Sequence, residues 1–345
     1  MNIPIIDLFS DTKTRPSKPM LDAMVIAETG DEQAGEDPTT QCLQDRVASL
    51  LGKDSALFVP SGTMCNQIAL AVQCNAGDEI IADKTSHLIN FEAGGAAVFS
   101  RAMIKSLEGE RGQFTIDQAR AAIRRGFRHA PSSRMIAVEQ TANLGGGSIW
   151  PLENLKSLKA LAVENGLVMH MDGARLLNAV VASGVSAKEY AATADTVWID
   201  LSKGLGCPVG GVLAGSKEFI EKAWPWKQRL GGSMRQSGIL AAAGLYALEN
   251  NVERLAEDHS NAKILANRLA QIPGIDIDPK TVETNILIIN TAEASLTAHE
   301  ISQQLLLKGV RIGAVSADKM RAVTHLDVDR KGIDRAADVF EKICG

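Results

Sequence analysis

Short apolar runs alternate along the chain with longer segments whose apolar residues recur at helical spacing. Five of the short runs read as buried strands, and they lie at residues 56–59, 135–138, 167–171, 196–199 and 211–214. This alternation is typical of proteins in which helices cover a largely parallel sheet. The pattern therefore predicts an α/β fold built on one large, mixed, mostly parallel sheet.

The C-terminal part of the chain has a different pattern. Residues 240–269 lack strand signals and carry apolar residues at helical spacing, and a Pro-Gly pair at 273–274 then interrupts the chain. Runs at 285–289 and 321–325 are predicted as strands on either side of a helix at 298–307, a βαβ-like arrangement. We expect a helical link to a small α/β domain that the N-terminal segment helps to complete.

These patterns predict three parts of the chain. Residues 1–20 form an N-terminal segment, residues 21–250 the large domain, and residues 251–345 the small C-terminal domain.

Composition excludes several classes of partner. The chain has 345 residues, 45% of them hydrophobic, which is enough for a substantial core. A net charge of −5 without long basic runs argues against nucleic acid. The absence of a leader or an apolar stretch of about 18 residues predicts a cytoplasmic protein without membrane contact. Five widely spaced cysteines without a CxxC pair indicate reduced thiols and no metal site.

Ionisable residues follow two of the predicted strands. Asp172 comes directly after the run 167–171, and Lys203 lies beyond the run 196–199. Open α/β sheets bind ligands at such strand ends. A carboxylate and an amine are the two groups that pyridoxal 5′-phosphate (PLP) requires, one for its pyridine nitrogen and one for its aldehyde. Each residue alone is more often a turn or surface residue, but together they predict a PLP site.

The turn PSGT at 60–63 connects a predicted strand to a predicted helix at 64–72. Amide groups at the start of a helix can hold a phosphate. Turns of this kind are common, and most only reverse the chain. The motif therefore indicates a phosphate site only in combination with Asp172 and Lys203.

Six motifs together resemble those of the low-specificity L-threonine aldolases, over essentially the whole chain. They are DLFSDT at 7–12, GEDP at 35–38, PSGT at 60–63, DGAR at 172–175, SKGLG at 202–206 and GSMRQ at 232–236. The resemblance implies a fold-type I PLP enzyme, similar to aspartate aminotransferase, that cleaves a β-hydroxy-α-amino acid to glycine and an aldehyde. It also implies a homodimer or homotetramer whose active sites are shared between subunits.

The resemblance gives roles to the matching residues. Lys203 would bond to the PLP aldehyde, Asp172 would pair with the pyridine nitrogen, and Arg175 would reach the cofactor's phenolate oxygen or the substrate carboxylate. Gly62 and Thr63 look like the phosphate cradle.

Further residues follow from the same resemblance. Arg235 would join the phosphate cradle from the neighbouring subunit. His87 resembles the histidine that stacks on the cofactor ring, and it, or a water near it, would be the base for the β-hydroxyl. Ser10 and Arg321 would clamp the substrate carboxylate together with Arg175. His129 aligns with a histidine near the substrate hydroxyl, although its flanking residues match poorly, and it is the weaker candidate base.

Three positions depart from the family pattern. Phe9, Ala34 and Ala142 stand where arginine, tyrosine and histidine are usual. If these side chains line the substrate's β-side, the pocket is larger and less polar, which favours a substrate such as phenylserine over threonine.

Two other functions remain open from the sequence. Racemases, β-eliminating lyases and aminotransferases of fold-type I share the groups at Lys203 and Asp172, and product identity separates them from an aldolase. A scaffold protein without turnover would lack the cofactor's absorbance.

Overall fold

The computed structural model describes residues 6–124, 126 and 128–345. Its strands are β1 (Ile6–Asp7), β2 (Ser55–Val59), β3 (Glu79–Asp83), β4 (Met103–Leu107), β5 (Ser133–Glu139), β6 (Val168–Gly173), β7 (Thr196–Asp200), β8 (Gly211–Gly215), β9 (Ile286–Asn290), β10 (Val310–Arg311), β11 (Gly313–Ala314) and β12 (Lys319–Val323).

The α-helices are α1 (Lys18–Val25), α2 (Pro38–Leu51), α3 (Gly62–Gln73), α4 (His87–Asn90), α5 (Ile116–Ala122), α6 (Leu152–Glu164), α7 (Leu176–Ser183), α8 (Ala187–Ala192), α9 (Lys217–Arg229), α10 (Gly238–Asn250), α11 (Leu255–Leu269), α12 (Ala298–Leu307) and α13 (Arg330–Cys344).

A seven-stranded sheet has the order β2-β8-β7-β6-β5-β3-β4. Strand β8 is antiparallel to both of its neighbours, and the other strands are parallel to one another. The five predicted runs fall on β2, β5, β6, β7 and β8, so the mixed, mostly parallel sheet is confirmed. Strands β6 and β7 are almost wholly buried, which explains their continuous apolar sequence.

Helix α3 begins directly after β2 and is positioned by its first residues. The Ser61 hydroxyl accepts a hydrogen bond from the Met64 amide and caps the helix. A side chain at Gly62 would meet the ring of Trp198 at 2.2 Å, so only glycine permits this close packing.

A second hydrophobic core lies between α11, α12, α13 and a small sheet of order β11-β12-β9. Strand β1 pairs in parallel with β10, so the N-terminal segment joins this part of the structure. The βαβ-like expectation was wrong in one respect: β12 runs antiparallel to β9, because β11 and β12 form a hairpin that reverses the chain.

The predicted helical link consists of two helices rather than one. Helix α10 packs against α1 and α2, whereas α11 packs against α13 and α7. Leu255 lies in the larger core and Leu269 in the smaller one, so α11 contributes to both.

Candidate active site

A cavity of about 190 Å³ opens at the carboxyl ends of β5, β6 and β7. Six residues that the sequence pointed to line it: Gly62, Thr63, His87, Asp172, Arg175 and Lys203. Parallel strands bring their carboxyl ends to one edge of the sheet, which is why residues far apart in sequence meet here.

Asp172 is buried and fixed from two sides. Its Oδ1 accepts a hydrogen bond from the Ala174 amide at 3.1 Å, and its Oδ2 accepts one from Asn66 Nδ2 at 2.8 Å. Asn66 is itself oriented, because its Oδ1 accepts from the indole nitrogen of Trp198 at 2.7 Å. No pattern in the sequence pointed to Asn66, since Asp172 and Trp198 lie more than 100 positions away from it.

Lys203 lies beside a second carboxylate. Its Nζ is 3.0 Å from Asp200 Oδ2 and 5.6 Å from the centre of the Trp198 ring. Thr14 Oγ1 donates to the Lys203 carbonyl at 2.8 Å and ties the N-terminal segment to this loop. The lysine is therefore largely buried and lies within one cavity with Asp172.

His87 opens α4 at the wall of the cavity. Its amide donates to Glu139 Oε2 at 2.7 Å, and its ring Nδ1 is 2.8 Å from Glu92 Oε1. Burial alone lowers the pKa of His87, but the Glu92 hydrogen bond and the charge of Asp172 raise it above its ordinary value. His87, Glu92 and Asp172 offer atoms within 4.8 Å of one another, a spacing that a metal ion could bridge. The amide group of Asn66 donates to both carboxylates, so each already has a hydrogen-bond donor. We therefore assign the cluster to the orientation of His87 rather than to metal binding.

Glu139 is a cavity residue that the sequence did not single out. It ends β5 directly opposite Asp172 on β6, and its Oε1 accepts from the Asn143 amide at 2.6 Å. Burial and the neighbouring Asp172 raise the pKa of Glu139 to about 7. Its position at a strand end was visible in the sequence, but its burial was not.

Arg175 is held by a buried carboxylate. Its Nε and Nη2 each donate to Asp11 at 2.7 Å, one to each oxygen. Burial acts to raise the pKa of Asp11, but the Arg175 guanidinium outweighs it and holds that pKa well below its usual range. Nη1 has no acceptor among the residues that the structure describes, so it is left for a ligand.

Arg321 on β12 approaches the same place from the small sheet. Its Nη1 donates to Asn143 Oδ1 at 2.8 Å and its Nη2 to the Phe9 carbonyl at 3.3 Å, while its buried Nε has no partner among the described residues. Burial and the charge of Arg175 lower the pKa of Arg321. Ser10 is buried beside Asp11, and its hydroxyl accepts from Thr12, which leaves its own proton to donate.

Four predicted residues are not among those that line the cavity of one chain, and two of these four lie away from it. Arg235 is exposed and pairs with Asp31 at 2.8 Å. His129 is exposed just before β5 begins at Ser133, whereas the cavity lies where β5 ends. Within a single chain, the structure does not bring His129 together with the other candidates.

Comparison with known proteins identifies the family. The profile of the β-eliminating lyase family matches residues 7–292. A low-specificity L-threonine aldolase of Escherichia coli strain K12 is 42% identical over 334 residues, covering 96% of this chain and 97% of its own. The chain belongs to the low-specificity L-threonine aldolase family. Low-specificity L-threonine aldolase 1 of Arabidopsis thaliana is 38% identical over 98% of this chain and 96% of its own.

A solved threonine aldolase of Leishmania major supports the fold. It superposes with a TM-score of 0.83 at 19% identity, covering 98% of this chain and 99% of its own. The predicted fold-type I architecture of PLP enzymes is confirmed, as is the resemblance on which it rested.

The residues of this aldolase-family cavity fit PLP. Asp172 offers a fixed carboxylate, Lys203 a buried amine, and the start of α3 at Gly62 and Thr63 free amides for an anion. These groups match the three ends of the cofactor, its pyridine nitrogen, its aldehyde and its phosphate.

The three departures from the family pattern do not line this cavity in one chain. The Phe9 ring packs on Gly313 and stacks with Arg311 at 4.7 Å, on the side of the small sheet. Ala142 is buried against Gly112 and Gly145, beside a separate small cavity, and Ala34 is exposed. The premise of an enlarged pocket is therefore not met within a single chain.

The Asp11–Arg175 pair predicts a stability effect. Asp11→Asn leaves the buried Arg175 charge uncompensated, and we expect the free energy of unfolding to fall by about 3 kcal/mol in chemical denaturation. Because the pKa of Asp11 is lowered by folding, its contribution is present above its ordinary value of 3.8 and is lost as the pH falls below that value. The control is Asp7→Asn, whose partner Arg311 is 40% exposed, and an equal loss in both variants would contradict the prediction.

Proposed function

We propose that this chain uses PLP, attached at Lys203, to cleave the Cα–Cβ bond of a β-hydroxy-α-amino acid to glycine and an aldehyde. The substrate is threonine, allo-threonine or a bulkier analogue such as phenylserine. One observation carries the proposal: Lys203 and Asp172 share one cavity with Arg175. Arg321 lies near enough for the Arg175 charge to lower its pKa, and its Nε has no partner among the described residues.

Two groups of the chain serve the cofactor directly. When bound, PLP supplies an electron-accepting ring conjugated with the substrate Cα. The Asp172 carboxylate, held by Asn66 and Ala174, would pair with the ring nitrogen of bound PLP and keep a proton on it. Lys203 supplies the amine that holds the cofactor and that the substrate amine replaces.

The arginines orient the substrate. Two neighbouring guanidinium groups, each with a nitrogen left free, match a carboxylate, and Ser10 adds a hydroxyl donor. Fixing the carboxylate would restrict the rotation of the substrate about Cα and so determine which of its bonds is aligned for cleavage. This orientation favours Cα–Cβ cleavage over loss of the carboxylate.

His87 is the proposed base for the β-hydroxyl proton, directly or through a water. Glu92 engages Nδ1, which leaves Nε2 to accept the proton. His129 could act only from a second subunit, since it lies away from the cavity of its own chain.

Product identity tests the proposal against other fold-type I reactions. The enzyme is incubated with PLP and threonine, allo-threonine or phenylserine, and the products are separated. Glycine together with the matching aldehyde is expected. A keto acid and ammonia would identify a β-eliminating lyase. A changed configuration at Cα would identify a racemase, and an aminated keto acid would identify an aminotransferase.

We further propose that the active unit is at least a dimer, with Arg235 reaching the phosphate of the neighbouring subunit. Its exposure and its position on the loop before α10 support this role.

We expect Arg235→Ala to raise the PLP dissociation constant about 10-fold or more, since a charge-assisted contact contributes about 1.5–3 kcal/mol. Sedimentation coupled to activity measures the assembly, and a fully active monomer would refute it. Arg229→Ala is the control, because Arg229 stacks on Trp226 of the same helix.

No helix of the described residues is long and apolar enough to cross a membrane. All five cysteines are free thiols. We propose a cytoplasmic location, which the reduced thiols support.

A further inference from the structure

Asp200 has no part in the functions described so far, yet it contacts the proposed cofactor lysine. It is the last residue of β7, and its Oδ2 lies 3.0 Å from Lys203 Nζ. The two side chains are only 6% and 14% exposed. A carboxylate so close to a buried amine acts on the charge of that nitrogen.

The orientation of Asp200 does not depend on Lys203. Its Oδ1 accepts hydrogen bonds from the Ser202 amide at 2.7 Å and from the Ser202 hydroxyl at 2.8 Å. Because Ser202 holds one oxygen, the carboxylate is oriented by contacts that do not involve Nζ.

Three carboxyl groups line the cavity, and Glu139 among them is already engaged by two backbone amides. Asp172 is oriented by Asn66 and Ala174, whereas Asp200 is oriented by Ser202 and faces Lys203. Asp172 is assigned to the ring nitrogen of the cofactor, so Asp200 is the carboxylate left to act at the other nitrogen.

We propose that Asp200 is a positioning residue that keeps a proton, and hence a positive charge, on the Nζ of Lys203. This inference rests on the proposed attachment of PLP to Lys203. A positive charge on Nζ would also make the carbon bonded to it more open to attack by the substrate amine, so Asp200 would favour substrate exchange.

Other charged or titratable groups also face this pair. They are Asp11, Cys65, His87, Glu139, Asp172, Arg175 and Cys207. Burial and the charge of Asp200 raise the pKa of the Cys207 thiol and that of Cys65, so both thiols stay neutral at ordinary pH. Arg175 is compensated by Asp11, which leaves Asp200 as the carboxylate in contact with Nζ.

The test is the absorbance of bound PLP, which reports whether Nζ carries its proton. An opposite charge within hydrogen-bond distance shifts such a titration by about 1–3 pH units. In Asp200→Asn we expect the midpoint to lie about 1–3 units lower than in the wild type. The matched control is Asp195→Asn, directly before the start of the same strand, where the midpoint should be unchanged.

The outcomes are distinct. A midpoint in Asp200→Asn equal to that of the wild type would overturn the inference, and a lower one supports it. If the asparagine variant does not retain PLP, Asp200→Ser and Asp200→Glu are compared. Retention of PLP only with glutamate supports a role of the charge. Loss of PLP in every variant shows that Asp200 is needed for packing and overturns the inference. A wild type without the absorbance band would instead mean that the attachment of PLP to Lys203 has failed.

Discussion

Lys203→Ala is expected to abolish multiple turnover and the absorbance of lysine-bound PLP. The amine is the covalent attachment point, and removing such a group from an active site costs on the order of 10³-fold or more in kcat. The fold should persist, because the Lys203 side chain lies at a cavity and its main-chain contact with Thr14 does not involve that side chain. Absorbance spectra and product formation over many turnovers measure the effect.

The control for this experiment is Lys53→Ala. Lys53 is partly buried, and burial lowers its pKa, yet its Nζ donates to the Ala194 carbonyl away from the cavity. Borohydride reduction followed by peptide mapping locates the modified lysine. Cofactor found on any lysine other than Lys203 would overturn the assignment.

Arg321→Leu is expected to lower kcat/KM by about 10²–10³-fold with little change in PLP affinity. Truncating one partner of a buried charge-assisted contact costs about 2–5 kcal/mol, and this arginine is proposed to hold the substrate rather than the cofactor. Leucine preserves much of the apolar stem, so the packing of β12 should survive. Steady-state kinetics and a PLP titration measure the two quantities separately.

Arg311→Leu is the matched control for Arg321. Arg311 lies on β10, which pairs with β1; it stacks on the Phe9 ring and pairs with Asp7, and it is not among the residues that line the cavity. Its replacement should leave kcat/KM within about 3-fold of the wild type, as expected for an exposed pair. Equal losses in both variants would show that the small sheet, rather than a carboxylate contact, is responsible.

The sequence was most informative where an ionisable residue lies at or just beyond the end of a buried strand. Asp172 lies at the carboxyl end of β6 and Lys203 follows β7, and because parallel strands end at one edge, their proximity could be predicted without a structure. The large sheet was predictable for the same reason, since its central strands are buried on both faces and show continuous apolar runs.

Residues that act through others could not be predicted in this way. Asn66 lies on an ordinary helical segment, and only the folded chain shows that it donates to both Asp172 and Glu92. Glu139 follows a predicted strand, but its importance depends on burial and on the amide groups of His87 and Asn143. Side-chain networks of this kind join positions with no local pattern between them.

The departures from the family pattern show a second limit of the sequence. A motif places Phe9 beside Ser10, but successive residues of an extended segment point to opposite sides. Ser10 is buried beside Asp11, whereas the Phe9 ring turns towards Gly313. The identity of a neighbouring residue therefore did not reveal which side chain faces the ligand.

The pairing of β1 with β10 has a consequence for synthesis on the ribosome. Asp7 and Arg311 are 304 positions apart, and Leu8, which is fully buried in the finished structure, bonds through its amide to the Arg311 carbonyl. At about 5–20 residues per second, roughly 15–60 s pass between the emergence of these two segments. During that interval the large sheet can already form, while β1 remains unpaired because β10 has not yet been synthesised. The nascent chain can therefore complete the candidate site only after β10 and β12 have emerged.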